Sequence, residues 1–267
     1  MIRDKVVIIT GASSGIGKAL AVEALQGGAL VSLGARNVLP MEESTQGYDP
    51  GNFLIVRTDV SDDAQCRQLI EKTLEKFGRI DILINNAGIS MRALFADADL
   101  QVLEKLMQVN FWGAVRCTKY ALPHLIRSKG SVVGVSSIAG YKGLPARSGY
   151  SASKFALQGF LDSLRTENLK TGLHVLVACP GFTTSNIRKT ALASDGSMQG
   201  ESPRAEGRMM SAEEVASHII RAIAKRKRTL VLTRQGKLTV WLNKFFPAWT
   251  DQLVYKHMAK EPESPFK

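Results

Sequence analysis

Tyr150 and Lys154 are four residues apart at the start of a strongly helical stretch, so a helix there would place them on one face, one turn apart. A cation beside a phenol stabilises the phenolate and draws the tyrosine down from its ordinary pKa of about 10 toward working pH. A general acid/base acting on an alcohol or carbonyl needs that property. The pair alone is weak evidence, because many helices carry such a spacing by chance. Ser137 lies thirteen residues upstream at the end of an apolar run, where its hydroxyl could bond the same substrate oxygen; Ser136 is the neighbouring alternative. Asn110 follows a helical turn. Its amide could anchor a water or the helix backbone, or be a satisfied buried polar group.

A second constellation is built for phosphate. An apolar run leads into residues 10–17 (TGASSGIG) and then into a helical pattern. Gly11, Gly15 and Gly17 would let the backbone turn sharply and approach a pyrophosphate at a helix N-terminus, where free N–H groups and the dipole favour anions. The spacing G-x3-G-x-G departs from the general G-x-G-x-x-G fingerprint, and a plain tight strand–helix turn is the other reading. The next apolar run ends Ser32, Leu33, Gly34, Ala35, Arg36. A dinucleotide without a 2′-phosphate calls for a carboxylate here to bind the ribose, and one with it calls for a cation. No acid occurs before Glu42, so Arg36 points to NADP(H), unless it is merely a solvated loop residue. Asp59, followed by Val60, could hold an adenine amine or cap a helix.

The elements that must position these groups are legible as alternating patterns. Residues 5–10, 29–34, 53–57, 81–85, 131–136, 173–179 and 229–233 are short, apolar and rich in β-branched side chains. Such runs are expected to be strands buried on both faces of a parallel sheet. Helical patterns occupy 15–26, 62–77, 100–127, 150–171 and 212–225, with Ser61 and Ser211 as expected N-caps. The fold class expected is α/β, a Rossmann-type doubly wound seven-stranded parallel sheet in one domain. Residues 37–52 are expected to form a loop, and 183–210 a lid or mobile binding segment.

The 267 residues favour a single large domain, and 45% hydrophobic with 22% charged residues excludes global disorder. Three cysteines without close spacing exclude a disulfide framework or cysteine-rich zinc module, and no metal site is expected. The opening residues do not form a signal peptide, and no apolar run approaches the length of a membrane span, so a cytoplasmic chain is expected. Of the net charge of +11, the segment 221–267 carries eleven Lys/Arg against three Asp/Glu, a balance of +8. Charge alone does not choose between phosphate, nucleic acid and anionic lipid. Without a recognition motif or stacking platform, nucleic acid is not an expected partner.

Taken together, the motifs resemble the short-chain dehydrogenase/reductase family. The matching pieces are residues 10–17, Asn85, Asn86, Ala87 and Gly88 (NNAG), Asn110, Ser137, residues 150–154 (YSASK), and Pro180 and Gly181 with Thr183, in order over residues 1–235. The resemblance implies that Tyr150 moves the proton and Ser137 polarises the substrate oxygen. Lys154 would hold the nicotinamide ribose and lower the tyrosine pKa, and Asn110 would complete a proton relay through water. It implies cofactor contacts from Gly11, Ser13, Ser14, Gly15, Ile16, Gly17, Asp59, Val60, Asn86, Ala87, Gly88, Pro180, Gly181 and Thr183. Arg36 matches the NADP-preferring pattern, with Ser13 near the 2′-phosphate. Relatives are commonly dimers or tetramers built through the helices at 100–127 and 150–171, so a homodimer or homotetramer is expected.

Substrate would lie beside residues 89–92 with Ser90, beside Leu144 and Pro145, and beside Ile187 and Leu192 of the expected lid. These mostly apolar side chains point to a lipophilic carbonyl or secondary alcohol of steroid, retinoid or long-chain type, unless they simply close the domain. The alternatives are a β-ketoacyl thioester reductase, whose acidic carrier the basic surface could dock, and a non-catalytic NADPH-binding scaffold. Residues 236–267 form a basic, amphipathic extension with Trp241, Phe245, Phe246, Trp249 and Tyr255, broken at Pro247 into two short helices. Such a segment can lie on a membrane, cover a neighbouring subunit or pack on its own domain. The resemblance leans toward peripheral membrane contact, in keeping with the hydroxysteroid-dehydrogenase-like branch.

Overall fold

Runs such as VVIIT and LVSLGA carry no polar alternation, so they are stable only with both faces covered. The computed structural model describes residues 2–184, 186–200, 209–262 and 264–266. In it, β1 (Val6–Thr10), β2 (Leu30–Ala35), β3 (Phe53–Arg57), β4 (Ile82–Asn85), β5 (Ser131–Val135), β6 (His174–Cys179) and β7 (Thr229–Val231) form one sheet in the order β3-β2-β1-β4-β5-β6-β7. Every pair is parallel. Alternate side chains enter opposite cores. Val7 and Ile9 join the layer under α1 (Gly15–Gln26) and α7 (Ala212–Ala224). Ile8 joins the layer under α3 (Asp63–Phe77), α5 (Gly113–Arg127) and α6 (Ser148–Glu167).

The strand order reverses between β1 and β4, which splays their following loops apart and opens a crevice beyond their C-terminal ends. Asp81 ties the opposite end of this pair together, accepting from the Val6 amide at 3.0 Å and from Arg79 at 2.7 Å.

Several local expectations need correction. Residues 37–52 are not a bare loop: α2 (Leu39–Thr45) forms there, followed by a 3-10 turn at Pro50–Asn52. Only Met41 and Thr45 of this short helix are buried, too few to show a period. The stretch 100–127 is α4 (Leu100–Met107) and α5 joined through a π-helical turn at Gln108–Trp112. The cap of α3 is Asp62, whose carboxylate accepts from the Gln65 amide at 3.1 Å, and not Ser61, whose hydroxyl donates to Asp59 at 2.7 Å. Helix α6 begins two residues before Tyr150 and ends at Glu167. At Ser211 the expected cap is present as a reciprocal capping box with Glu214.

The extension folds as α8 (Arg234–Phe245) and α9 (Pro247–Ala259), broken at Pro247 as expected. Cys66, Cys117 and Cys179 are buried and unpaired. Of the expected lid, residues 185 and 201–208 lie outside the described residues. The described part is tied down by bridges from Leu192 to Met91 and from Thr183 to Met210.

Candidate active site

The β1–α1 turn is shaped for close approach. Gly11 and Gly15 have φ of +67° and +51°, and a Cβ on Gly17 would lie 2.1 Å from the Gly11 carbonyl oxygen. Ser14, at the N-cap, makes no side-chain cap bond, so the first amides of α1 are not satisfied from within the turn. The Asn86 side chain donates to the carbonyls of Thr10 (2.9 Å) and Gly11 (3.3 Å). In return the buried Thr10 hydroxyl accepts from the amides of Asn86 and Ala87, both at 3.1 Å. These bonds fix the two sides of the crevice against each other. Thr10 is a positioning residue that no sequence motif singles out, although its place at the end of β1 is a local signal.

A cleft of about 370 Å³ follows from this turn. Gly11, Ser13, Ser14, Gly15, Ile16, Gly17, Arg36, Asp59, Val60, Asn86, Ala87 and Gly88 all line it. Arg36 stands exposed at the end of β2. One oxygen of Asp59 is engaged by the amide (2.9 Å) and hydroxyl (2.7 Å) of Ser61.

The cleft meets a smaller pocket of about 150 Å³, the two sharing Ile16, Asn86, Gly88 and Ile187. This pocket gathers Ser137, Tyr150, Lys154, Pro180, Gly181 and Thr183 with the candidate substrate residues Ser90, Leu144 and Ile187. The two serines after β5 have separate tasks. Ser136 is buried and accepts from Gln158 at 2.9 Å. Ser137 opens a 3-10 turn at Ile138–Gly140, its hydroxyl accepting from the Ala139 amide at 3.1 Å, and lines the pocket with Tyr150.

Protonation differs from the sequence expectation. Burial drives the Tyr150 phenol above its ordinary value, although the Ser137 hydrogen bond and the Arg147 cation pull the other way. Lys154 does not reverse this. Its Nζ donates to the Val135 carbonyl at 2.9 Å and lies 5.7 Å from the centre of the Tyr150 ring. Burial brings the Lys154 ammonium down to about 8. The pair thus presents a protonated phenol, the form that gives a proton to a carbonyl oxygen. Arg147, three residues before Tyr150, was missed from sequence; its helical spacing was the available signal.

Asn110 is a buried, satisfied amide that anchors backbone. It sits in the π-helical turn, an irregularity frequent at functional sites. Its side chain accepts from the Ile89 amide (2.8 Å) and donates to the Ile89 carbonyl (2.9 Å) and Ser153 hydroxyl (2.9 Å). The amide holds the 89–92 segment in place, with both of its N–H donors engaged. A Cβ on Gly88 would lie 3.2 Å from Asn110 Oδ1 and 3.4 Å from Lys154 Nζ, so a side chain there would crowd Asn110 and fill space beside Lys154. No cluster of metal-ligating side chains occurs among the described residues.

The short chain dehydrogenase family model matches residues 5–195. The chain belongs to this family. Mouse dehydrogenase/reductase SDR family member 7B is 35% identical over 272 residues, covering 98% of this chain and 84% of that protein. The 11-beta-hydroxysteroid dehydrogenase A of Sesamum indicum is 32% identical, with 98% and 78% covered. Among solved structures, an alcohol dehydrogenase from Thermococcus sibiricus complexed with 5-hydroxy-NADP is 25% identical with a TM-score of 0.74, covering 86% of this chain and 96% of that one. A short-chain dehydrogenase/reductase from Burkholderia phymatum in complex with NAD shares the fold at 23% identity and a TM-score of 0.81, with 93% and 95% covered. This short-chain dehydrogenase is therefore an oxidoreductase of the CH–OH/C=O couple that binds a nicotinamide cofactor. The cradle around Gly17 and Gly88 fits such a group.

Proposed function

We propose that this short-chain dehydrogenase is an NADP(H)-dependent reductase of lipophilic ketones and dehydrogenase of the matching secondary alcohols. The observation that carries the cofactor choice is Arg36, which lines the cleft at the end of β2 where no carboxylate stands. When bound, the nicotinamide supplies or accepts the hydride. Tyr150 gives or takes the proton at the substrate oxygen, and Ser137 donates a hydrogen bond to that oxygen. Lys154 and Gly88 would hold the cofactor ribose, and Pro180, Gly181 and Thr183 would lie beside the nicotinamide.

The test is a fluorescence titration with NADPH and NADH. NADPH is expected to bind at least tenfold more tightly, and Arg36→Ala to erase that ratio by weakening NADPH alone, a change of about 1.4 kcal/mol or more. Preference for NADH would overturn the assignment. Tyr150→Phe is expected to bind NADPH normally and to lose turnover with a lipophilic ketone.

The exposed Trp112 and Phe155 support a homo-oligomer built across α5 and α6, to be read by light scattering. A cytoplasmic setting is proposed, and no helix among the described residues is long and apolar enough to cross a membrane. Exposed Trp241, Phe245, Phe246 and Trp249 beside Lys237 and Lys244 support peripheral contact with anionic lipid, to be read by liposome co-sedimentation. Division into a catalytic region 1–235 and an extension 236–267 is part of the same proposal.

A further inference from the structure

Just past α9 the chain places a carboxylate at the rim of the Tyr150 pocket. Glu261 is 5% exposed and accepts from Arg147 Nη2 at 3.1 Å, with Arg92 Nε 3.8 Å from the same oxygen. Both arginine side chains are buried nearly as deeply. Arg92 also donates to the Pro262 carbonyl, while its Nε makes no hydrogen bond among the described residues. A carboxylate and two guanidiniums drawn out of water are held there only when they satisfy one another, which pairs on the surface need not do.

The two arginines stand on two segments that frame the pocket. Arg147 immediately precedes α6 and lines the pocket with Ser137 and Tyr150. Its carbonyl accepts from the Ser151 amide at 2.8 Å, so a shift of Arg147 moves the first turn of the helix that carries Tyr150. The Arg92 amide donates to the Leu192 carbonyl at 2.8 Å, and the Ala93 amide to the Ala146 carbonyl at 3.0 Å. Backbone bonds thus join the 89–93 and 144–147 segments from within, and Glu261 joins them by charge from the end of the chain.

Charge reaches Tyr150 by the same route. The Arg147 cation favours the phenolate, against the effect of burial. A carboxylate bonded to that cation takes back part of its field. The other ionisable groups facing the phenol are Lys154 on α6, the Cys179 thiol at the end of β6 and Arg188, which lines the pocket and donates to the Thr183 carbonyl at 2.9 Å. The thiol, pushed up to about 12 by burial, stays neutral through the working range.

We propose that Glu261 is a positioning residue for the proton transfer. By holding Arg147 and Arg92 it fixes where Arg147 stands and how much of that charge Tyr150 feels, so the end of the chain tunes the acid/base from outside the pocket. The proposal rests on the reading of Tyr150 as the group that moves the proton.

The experiment uses the full chain. Glu261→Gln removes the charge but keeps an oxygen for Arg147 to bond. Two titrations are read against the wild type. One is the ultraviolet absorption of the phenolate, with Tyr150→Phe subtracted; the other is kcat/KM against pH for oxidation of a steroidal secondary alcohol with NADP+. Both are expected to move to lower pH by about 0.5 unit or more, because the Arg147 charge is no longer offset. Glu261→Asp, which keeps the charge, is expected to return both toward the wild type. Lys154 and Cys179 are common to all these proteins and cancel. Arg147→Met removes the cation and is expected to move both titrations to higher pH, which tests the coupling even if Glu261→Gln does not fold. An unmoved phenolate titration in Glu261→Gln or in Arg147→Met overturns the proposal; a lower rate at every pH without a shift is what a merely structural tail would give. A phenolate shift without turnover leaves the coupling standing, and the functional reading then fails alone.

Discussion

Lys154 is expected to weaken the fold that holds it. It is 3% exposed, and burial brings its ammonium from 10.5 to about 8. At about 1.36 kcal/mol per pKa unit, carrying that charge costs the folded state on the order of 3 kcal/mol below pH 8. Lys154→Met removes the cost but leaves the Val135 carbonyl without its donor, a loss of about 1–2 kcal/mol. The variant is therefore expected to be more stable than the wild type by about 1–2 kcal/mol at pH 7 without cofactor. The sign of the pH dependence follows from the folded pKa lying below the unfolded one. Between about pH 8 and 10.5 the unfolded chain keeps a proton that the folded chain has shed, so this lysine's contribution to stability rises with pH. By about pH 9.5 it has recovered about 2 kcal/mol and the variant's advantage is gone. Cys179, pushed by burial up to about 12, and Cys117, raised by its hydrogen bond to Cys66 and by burial, act oppositely. They favour folding below the thiol range and lose that effect as pH rises, as does Tyr150 at higher pH. Because these groups are common to both proteins, the difference between them isolates Lys154. Urea unfolding followed by far-ultraviolet circular dichroism at pH 7 and about pH 9.5 measures it. A variant less stable at pH 7, or an offset independent of pH, would refute the reasoning.

Gly17→Ala is expected to abolish nicotinamide binding and lower Tm by about 2–4 °C or more, because the new methyl group meets backbone at 2.1 Å. NADPH fluorescence titration and calorimetry check both effects. Asn110→Ala strips both polar groups of Ile89 of their partner and is expected to destabilise by about 2–4 kcal/mol. It should also lower kcat/KM, since the 89–92 segment borders the pocket; a loss below about 1 kcal/mol in urea unfolding would contradict the anchoring role.

The sheet was legible because parallel strands buried on both faces leave continuous β-branched runs, and all seven stand within a few residues of those runs. The glycine turn and the Tyr150–Lys154 pair were legible because they are local. What escaped the sequence depends on distance or depth. The π-helical turn at Gln108–Trp112 inserts one residue into a helical pattern without breaking its apolar stripe, so Asn110 looked like any buried amide. The rise of the Tyr150 pKa comes from burial, which spacing does not encode. Ser136 and Ser137 part company only because Gln158, on α6, takes the first. The amphipathic pattern of the extension was visible, but not the Asn243–Tyr141 and Lys142–Asp251 contacts that lay it across the site.

Backbone strain follows the same division of the molecule. Among the described residues, five other than glycine have positive φ: Asp4, Lys129, Ala146, Arg226 and Thr233. Asp4, Lys129 and Arg226 turn the chain into β1, β5 and β7 at the edge remote from the crevice, where polar side chains meet water. Ala146 and Thr233 lie at the catalytic edge instead, one before Arg147 and α6, the other opening α8. Alanine has no polar side chain to support this conformation, and Thr233, although its hydroxyl accepts from the Gly236 amide at 3.0 Å, is β-branched, so each costs on the order of 1–2 kcal/mol. Such a cost persists only where the surroundings hold it. The Ala146 carbonyl accepts from the Ala93 amide at 3.0 Å, bracing the segment that Asn110 fixes from its other end. Thr233 is wedged between Gly181 and Gly236. The two strained turns thus set the floor and the roof of the space in front of Tyr150, on the side of the sheet where the strand order reverses. The remaining strands need only continuous burial to hold that edge in place.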